Sequence, residues 1–308
     1  MIVVCGETLI DLVHVDGEVW RALPGGSPAN TAVALARLGT PAAMLARISG
    51  DAFGTRLLSR LVNDGVDVRY VVEAAQASSM AVVDLDDSGG ARYSFYLQGT
   101  ADWQWAAAEL PVSFDSSVAA IHAGSMALMM PPGGAVLESM LRRERAERVV
   151  SIDPNVRASI CPDPVRYREA VERWLAVAHI VKASTDDVSW LYPDRSPDDV
   201  LTDWASRGPA LVVFTHGAAG AVARLPSGVE AIVGGVVVDV VDTIGAGDTF
   251  SAGLLHALSD ADLLSVEGLA AISKQEVEEA LRFAVLVSAI ACTRAGADPP
   301  HLADLPPR

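Results

Sequence analysis

The amino-acid sequence predicts an α/β fold, in which helices cover both faces of a mostly parallel central sheet and a small β-sheet is inserted beside it. Short apolar segments alternate with longer helical segments along most of the chain, which is typical of parallel strands joined by helical crossovers. Near residues 91–97 the pattern changes, because polar and aromatic residues alternate there as in a half-exposed strand. We therefore expect a layered core with a separate, inserted sheet.

The elements of the core can be followed from the first residues. The apolar residues 2–6 predict a buried strand, and the alanine-rich segment 27–38 predicts a helix. A strand at 42–48 and a helix at 53–63, which ends near Gly65, come next. The later strands are expected at 118–123, 148–153, 179–182, 210–215, 221–224 and 231–240, and the later helices at 133–147, 164–176, 197–207, 247–258 and 274–294.

A β-hairpin interrupts this core. Residues 80–85 and 91–97 both have the composition of strands, and the two aspartates, one serine and two glycines at 86–90 are a strong turn signal. The active site of an open parallel sheet lies beyond the carboxyl ends of its strands, so a hairpin near that edge is placed to act as a lid. We expect a single domain over residues 1–308, with lid strands from about residues 11–24 and 69–107.

Composition and charge exclude several classes of function. The chain of 308 residues is 51% hydrophobic, so it can bury a large globular core. Its 23 lysines and arginines against 39 acidic residues leave a net charge of −16, which opposes binding to nucleic acid and to anionic membranes. Cys5, Cys161 and Cys292 are scattered and lack a metal-binding spacing, so we expect a reducing compartment, the cytoplasm.

The most informative segment of the chain leads from an apolar run into an alanine-rich helix. Gly245, Ala246 and Gly247 are small, and small residues let the backbone turn consecutive N–H groups toward one point. A helix that begins there adds its own unpaired N–H groups, which predicts a cradle for an anion. Asp248 beside an anion would be a poor binding group, so we favour a base that deprotonates an attacking hydroxyl. The alternative is a glycine-rich turn with Asp248 as an ordinary helix cap.

Two common phosphate-binding loops do not fit this segment. The sequence contains no Gly-x-x-x-x-Gly-Lys-Ser/Thr pattern, which excludes a P-loop. A Rossmann fingerprint would need a glycine where the chain has Phe250, and it belongs in the first strand-to-helix turn of its unit. An anion at this helix would therefore be held by another kind of loop.

Polar residues near the amino terminus suggest contacts with a small polar ligand. Asp11 follows the first strand, and a carboxylate there suits two adjacent sugar hydroxyls, which are both donors. Gly25 and Gly26 let a ligand approach the backbone closely, and Asn30 offers both a donor and an acceptor. The alternatives are an aspartate that starts a loop and a turn that caps the first helix.

Later strand ends carry three further polar groups, each with two interpretations. Arg157 could clamp phosphate oxygens or form a surface ion pair. Ser184 and Asp187 could hold a hydrated Mg²⁺ ion or cap the helix that follows them. The turn at 215–220 could lie against the phosphates of a nucleotide, or it could be an ordinary β-turn between two neighbouring strands.

In their order and spacing, these motifs resemble the signatures of the ribokinase-like (PfkB) carbohydrate kinases along almost the entire chain. Residues 25–39 match the first signature of that family, and residues 50–54 match its companion block. Residues 242–250 match the second and more specific signature, and residues 291–297 resemble the closing block. The resemblance implies a ribokinase-like three-layer α/β/α core with a mostly parallel central sheet and a small β-sheet lid.

The resemblance also implies a role for each candidate site residue. Asp248 would be the general base, and the backbone of Gly245, Ala246 and Gly247 would bind the transferred phosphoryl group. The sugar would be bound by Asp11, Gly25, Gly26, Asn30 and Gln98, and the nucleotide by Arg157, Lys182, Ser184, Thr215, Gly217 and Gly220. Asp187 would organise Mg²⁺, and Asp242 and Ile244 would hold a monovalent cation, K⁺, mainly through backbone carbonyls.

One segment departs from the family pattern. Members of the family usually show Asn-x-x-Glu where this chain has Ser184-x-x-Asp187. The carboxylate is therefore one methylene shorter. This leaves open whether Asp187 contacts the metal directly or through water.

Residues 95–103 and 153–157, together with Gly124 and Ser125, look like the fructokinase branch of the family. This implies that ATP and Mg²⁺ are used to convert fructose to fructose 6-phosphate. Because exposed lid strands can pair between subunits, we also expect a homodimer through the lid. Three alternatives stay open. The chain could be a kinase of another substrate (ribose, a nucleoside or 2-keto-3-deoxygluconate) or a non-catalytic regulator that binds a sugar or a nucleotide. The third is a nicotinamide-dependent oxidoreductase, which the missing glycine fingerprint near Gly6 disfavours.

Overall fold

The computed structural model describes residues 1–85 and 91–306, so the predicted turn at 86–90 lies outside the described residues. Within these two ranges no helix is long and apolar enough to cross a membrane. The strands are β1 (Ile2–Cys5), β2 (Leu9–Asp16), β3 (Val19–Gly25), β4 (Ala42–Ser49), β5 (Asp67–Ala74), β6 (Met80–Leu85), β7 (Ala91–Tyr96), β8 (Ala120–Gly124), β9 (Val149–Asp153), β10 (Ile180–Ser184), β11 (Leu211–Thr215), β12 (Gly220–Arg224) and β13 (Glu230–Gly234). The α-helices are α1 (Ser27–Arg37), α2 (Ala52–Asn63), α3 (Ser125–Met129), α4 (Gly133–Glu144), α5 (Pro164–Leu175), α6 (Thr185–Leu191), α7 (Pro197–Ala205), α8 (Ala246–Asp260), α9 (Val266–Ala271) and α10 (Lys274–Ala291).

Nine strands form the central sheet, in the order β13-β12-β11-β10-β9-β8-β1-β4-β5. Neighbouring strands from β11 to β5 run parallel, and β12 and β13 pair antiparallel at one edge. Along β1, Ile2 and Val4 pack into one hydrophobic core, whereas Val3 and Cys5 pack into another. Successive side chains of a strand point to opposite faces, so both faces of this sheet are buried. The predicted three-layer α/β/α architecture is confirmed.

The helices divide between the two faces of the central sheet. Helices α1, α8 and α10 contribute Val33, Leu254 and Leu281 to the core that contains Ile2 and Val4. Helices α4, α5 and α7 contribute Leu137, Val171 and Val200 to the other core. Periodicity did not predict α3 and α9, because five and six residues are too few to establish a helical repeat.

A second sheet of four strands, in the order β3-β2-β6-β7, forms the predicted lid. Strand β2 pairs antiparallel with β3 and parallel with β6, which in turn pairs antiparallel with β7. Strand β3 ends at Gly25, and α1 begins at Ser27. The lid is therefore joined by a single residue to one of the helices of the core.

The structure differs from the expected strands at two places. Most of strand β5 lies in the segment 69–107 that we expected to supply the lid, yet β5 pairs parallel with β4 in the central sheet. Helix α2 ends just before it, and Gly65, with φ 80, makes the short turn of a helical crossover. The strand expected at 231–240 ends at Gly234. A side chain at Gly235 would place its Cβ 1.9 Å from the Ala218 carbonyl oxygen, so the chain leaves the sheet where it passes that turn.

Candidate active site

The carboxyl ends of the parallel strands lie along one edge of the central sheet and carry several of the predicted site residues. Strand β9 ends at Asp153, β10 ends at Ser184 and β11 ends at Thr215. Ser184 and Thr215 are direct partners in the register of β10 and β11. Open α/β sheets bind their ligands beyond this edge, so the fold predicts a ligand site here.

Asp248 lies in the first turn of α8 and is buried, with 7% of its surface exposed. Its Oδ1 accepts a hydrogen bond of 2.6 Å from the Ser27 hydroxyl, and its Oδ2 accepts one of 2.9 Å from Asn30 Nδ2. Burial raises the pKa of this carboxyl, whereas the two hydrogen bonds and the charge of Arg157 act to lower it. The carboxylate therefore faces α1 and is held by side chains, which is not the geometry of a cap on its own helix.

The amino terminus of α8 begins with small residues and has no side-chain cap. Gly245 precedes the helix with φ 75, in the left-handed region that favours glycine. The first N–H groups of any α-helix lack partners inside the helix, and Gly245, the residue that caps α8, provides no side-chain hydrogen bond to them. The N–H groups of Gly247 and Asp248 are therefore available to a ligand, at the positive end of the helix dipole.

Ser27 and Asn155 belong to this site, although the motifs did not single them out. The Ser27 hydroxyl accepts a hydrogen bond of 2.7 Å from Asn155 Nδ2. The Arg157 guanidinium donates to Asn155 Oδ1 at 2.6 Å. One signal for Ser27 is available in the sequence, because residues three apart on a helix share a face and Ser27 stands three before Asn30. For Asn155 the only signal is its place two residues before Arg157.

Asp11 and Gly25 border the site from the lid. Asp11 is a half-buried residue of β2, and a Cβ at Gly25 would lie 2.1 Å from its Oδ2. Burial raises the pKa of Asp11 to about 6, although the nearby cations Arg157 and Arg60 act to lower it. The charge of Asp248 adds to the effect of burial. Asp11, Arg157 and Asp248 are therefore close enough to share one electrostatic environment.

Gly26 shapes the start of α1. Its φ is 103, and a Cβ there would lie 2.6 Å from the Glu7 carbonyl oxygen. The Asn30 N–H donates to the Gly26 carbonyl at 2.9 Å, as in a regular first helical turn. Glycine at this position therefore lets the chain pass directly from the lid into the helix that holds Asp248.

Lys182 connects β10 to the anion cradle. Its ammonium donates to Asp153 Oδ2 at 2.8 Å and lies 3.5 Å from the Gly247 carbonyl oxygen. Burial acts to lower the pKa of Lys182, but the adjacent Asp153 carboxylate outweighs it and the pKa lies above its usual value. A permanently charged ammonium is thus held beside the first turn of α8.

Ser184 and Asp187 form a capping box at the start of α6. Ser184 Oγ accepts from the Asp187 N–H at 3.0 Å, and Asp187 Oδ2 accepts from the Ser184 N–H at 3.2 Å. The other oxygen of Asp187 accepts from the Val156 N–H at 3.0 Å. Both carboxylate oxygens are engaged by the backbone, and the described residues contain no group of three acidic, histidine or cysteine side chains suited to a metal ion. The capping interpretation is confirmed, and the donors present suit a metal that keeps its water ligands.

The remaining predicted residues have hydrogen-bond partners other than Asp248 or none among the described residues. The Thr215 carbonyl accepts from Thr185 Oγ1 at 3.2 Å, which joins the β11 turn to α6. Asp242 accepts from the N–H groups of Ile244 and Gly296, at 3.0 and 2.8 Å. No hydrogen bond between described residues connects these groups, or Gln98, Gly217 and Gly220, to Asp248 or Ser27. Gln98 is exposed after β7, and Gly217 and Gly220 have φ of 54 and 105.

Asp248, the uncapped turn of α8 and the two cations Arg157 and Lys182 define the class of site. A buried carboxylate can take a proton from a hydroxyl, and the N–H groups beside it can hold a negatively charged group that is transferred to that hydroxyl. A separate four-stranded sheet, whose strand β3 leads through Gly26 into α1, accompanies the three-layer α/β/α core. The fold and site are those of an enzyme that transfers a phosphoryl group to a small alcohol.

Comparisons with known proteins agree with this class. The model of the pfkB family carbohydrate kinases matches residues 1–303. A fructokinase of Rhizobium leguminosarum bv. trifolii is 38% identical over 279 residues, which are 89% of this chain and 85% of that protein. The chain therefore belongs to the pfkB family of carbohydrate kinases.

Solved structures of fructokinases have the same fold. A double mutant from Vibrio cholerae O395, in a form with fructose, ADP and potassium ion bound, superposes with a TM-score of 0.84 at 29% identity. The match covers 96% of this chain and 93% of that one. A fructokinase from Xylella fastidiosa with bound ATP superposes with a TM-score of 0.86 at 26% identity, over 99% and 94% of the two chains.

Proposed function

We propose that this carbohydrate kinase transfers the γ-phosphoryl group of ATP to O6 of fructose, with Asp248 as the general base. The observation that carries the proposal is the position of Asp248, which is held by Ser27 and Asn30 beside the free N–H groups at the start of α8. A hydroxyl placed between these groups would lose its proton to the carboxylate as its oxygen attacks the phosphorus. Catalysis then rests on positioning and on stabilisation of charge.

On the sugar side, Asp11 is the acceptor we propose for two neighbouring hydroxyls. It is held close to the backbone at Gly25, and it shares the electrostatic environment of Asp248. Gly26 and Asn30 border the same space, and Gln98 would approach from the lid. Fructose is the acceptor favoured by the relatives, of which the Rhizobium leguminosarum bv. trifolii protein is named a fructokinase.

On the nucleotide side, we propose that Arg157 and Lys182 meet the phosphate oxygens. The turn that contains Thr215, Gly217 and Gly220 would contact the rest of the nucleotide. When bound, Mg²⁺ would bridge and neutralise the phosphates, and Asp187 would reach it through water, because both of its oxygens already accept backbone N–H groups. The lid would exclude water that could otherwise accept the phosphoryl group.

A monovalent cation and a second subunit are part of the same proposal. The Asp242 carboxylate is occupied by the N–H groups of Ile244 and Gly296, so K⁺ near this loop would be met by backbone carbonyl oxygens. The outer lid exposes large apolar side chains, among them Val15, Val19 and Tyr96, which supports pairing between lids in a homodimer. We keep the cytoplasm as the proposed compartment, since Cys5, Cys161 and Cys292 are free thiols.

The proposal can be tested with one assay of ADP release and one identification of product. The purified protein is given ATP and Mg²⁺ with fructose, ribose, adenosine or 2-keto-3-deoxygluconate, and the product is examined by ³¹P NMR. We expect the highest kcat/KM with fructose and a phosphate on O6. A higher value with another acceptor would correct the substrate, and no ADP release with any acceptor would favour a non-catalytic binding protein.

A further inference from the structure

A continuous chain of hydrogen bonds joins the Arg157 guanidinium to the Asp248 carboxylate. Arg157 donates to Asn155 Oδ1 at 2.6 Å, and Asn155 Nδ2 donates to Ser27 Oγ at 2.7 Å. Ser27 in turn donates to Asp248 Oδ1 at 2.6 Å. In all three hydrogen bonds the donor lies on the side of the Arg157 cation and the acceptor on the side of the Asp248 anion. Each bond therefore polarises the next.

Asn155 is fixed in this chain by its backbone. Its φ is 41, a left-handed conformation that is uncommon outside glycine. The Asn155 N–H donates to Asp153 Oδ1 at 3.1 Å, and the next N–H, of Val156, donates to Asp187 Oδ1 at 3.0 Å. The buried Asp153 and the half-buried Asp187 therefore hold the turn that aims the Asn155 amide at Ser27.

The two donors to Asp248 come from one helical turn. Ser27 and Asn30 stand three residues apart on α1, so they lie on the same face of that helix. They bind different oxygens of the carboxylate, Oδ1 and Oδ2. Two donors on the two oxygens determine the plane of the carboxylate, and each oxygen keeps a lone pair for the acceptor hydroxyl.

We propose that Ser27 and Asn155 are positioning residues, which transmit the charge of Arg157 to the base through an uncharged relay and fix the orientation of the Asp248 carboxylate. The inference rests on the proposed function, because it takes Asp248 as the base. Ser27 carries the last bond of the relay, and Asn155 links it to the phosphate-side arginine. The relay thus couples the group that meets the phosphoryl oxygens to the group that takes the proton.

The relay acts within a site of mixed charge. Arg157 and Lys182 are the cations that face Asp248, and Asp11 and Asp153 are the other carboxylates that face it. Burial and the two carboxylates favour the protonated form of Asp248, and the hydrogen bonds of Ser27 and Asn30 favour the ionised form. Removing the Ser27 hydroxyl should therefore make Asp248 harder to ionise.

The test is a titration of the Asp248 carboxyl by ¹³C NMR in the full-length protein without substrates. In Ser27→Ala we expect the titration midpoint of Asp248 to rise by about one pH unit. A shift of this size corresponds to the free energy of one lost hydrogen bond to a charged group. Ser27→Thr keeps a hydroxyl and should restore the wild-type midpoint. Ser251→Ala is the matched control, because it removes another buried hydroxyl of this region, which has no hydrogen-bond partner among the described residues.

A second variant keeps the test decisive if Ser27→Ala does not fold. Asn155→Gly removes the amide side chain and tolerates the left-handed backbone, and its midpoint should rise by less than that of Ser27→Ala. An unchanged midpoint in the variants that fold would overturn the relay. The readout needs no turnover, so a rise in a protein that phosphorylates no sugar would leave the relay standing and refute the proposed function alone.

Discussion

Asp248 and Glu7 are both buried carboxylates near the sheet edge, yet their surroundings differ. Asp248 receives a side-chain donor on each oxygen and lies at the positive end of α8. Glu7 is fully buried, with one oxygen accepting from the Ala127 N–H at 3.1 Å and the other, Oε1, without a hydrogen-bond partner among the described residues. Burial raises the pKa of Glu7 to about 7. Burial raises the pKa of both carboxyls, and the side-chain donors on both oxygens of Asp248 are what distinguishes the two.

The largest expected effect on activity comes from replacing each of these two carboxylates with the corresponding amide. Asp248→Asn should lower kcat by about 10²–10⁴, because an amide cannot take the proton of the acceptor hydroxyl. Glu7→Gln should leave kcat within a few-fold of wild type, since among the described residues its side chain accepts from the Ala127 N–H and is hydrogen-bonded to no group of the proposed reaction. Steady-state kinetics with fructose measure both. A large loss of kcat in Glu7→Gln would break the comparison.

A smaller effect on activity is expected at Gly25, which tests the third carboxylate, Asp11. Gly25→Ala would place a Cβ 2.1 Å from Asp11 Oδ2 and displace the group proposed to bind sugar hydroxyls. We expect KM for fructose to rise by about tenfold, the scale of one weakened polar contact, with kcat less affected. Gly234→Ala is the matched control, because a Cβ at Gly234 would meet nothing within 4 Å. Equal KM values for the two variants would remove Asp11 from the sugar site.

The smallest effect on activity accompanies a change in the pH dependence of stability. The folded-state pKa of Glu7, about 7, lies above its ordinary 4.5, so the native state holds its proton more tightly and loses stability as pH rises through that range. Glu7→Gln lacks this loss. Relative to wild type, its free energy of unfolding should therefore improve by about 3 kcal/mol between pH 4.5 and pH 7. Asp11 titrates in both proteins and cancels in the difference. Urea unfolding at several pH values measures it, and a constant difference would contradict the assignment.

Local patterns were enough to predict the order of the core elements and the anion cradle, because both depend on residues close together in the chain. Gly245 and Asp248 could be placed at the start of a helix from spacing alone. The position of β5 could not be predicted in this way, because its pairing with β4 depends on the crossover that α2 makes. The hydrogen bond between Ser27 and Asn155 could not be predicted either. These residues stand 128 residues apart and meet only when α1 and the end of β9 are packed together.

Contacts with a distant segment also explain why the loop after β13 was not predicted. Residues 231–240 have the composition of a strand, but the strand ends at Gly234, and at the next residue, Gly235, the Ala218 carbonyl oxygen leaves no room for a side chain. Val237 is left 98% exposed. The steric reason lies in another segment, so no pattern within the run could have revealed it.

The central claim is that Asp248 acts on the proton of the acceptor and not on the binding of the sugar. Its most direct test measures fructose affinity and the rate of phosphoryl transfer in the same variant, Asp248→Ala, by calorimetry and by rapid quench. We predict that fructose binding stays measurable while the transfer rate falls by about 10²–10⁴. Transfer at the wild-type rate would contradict the account.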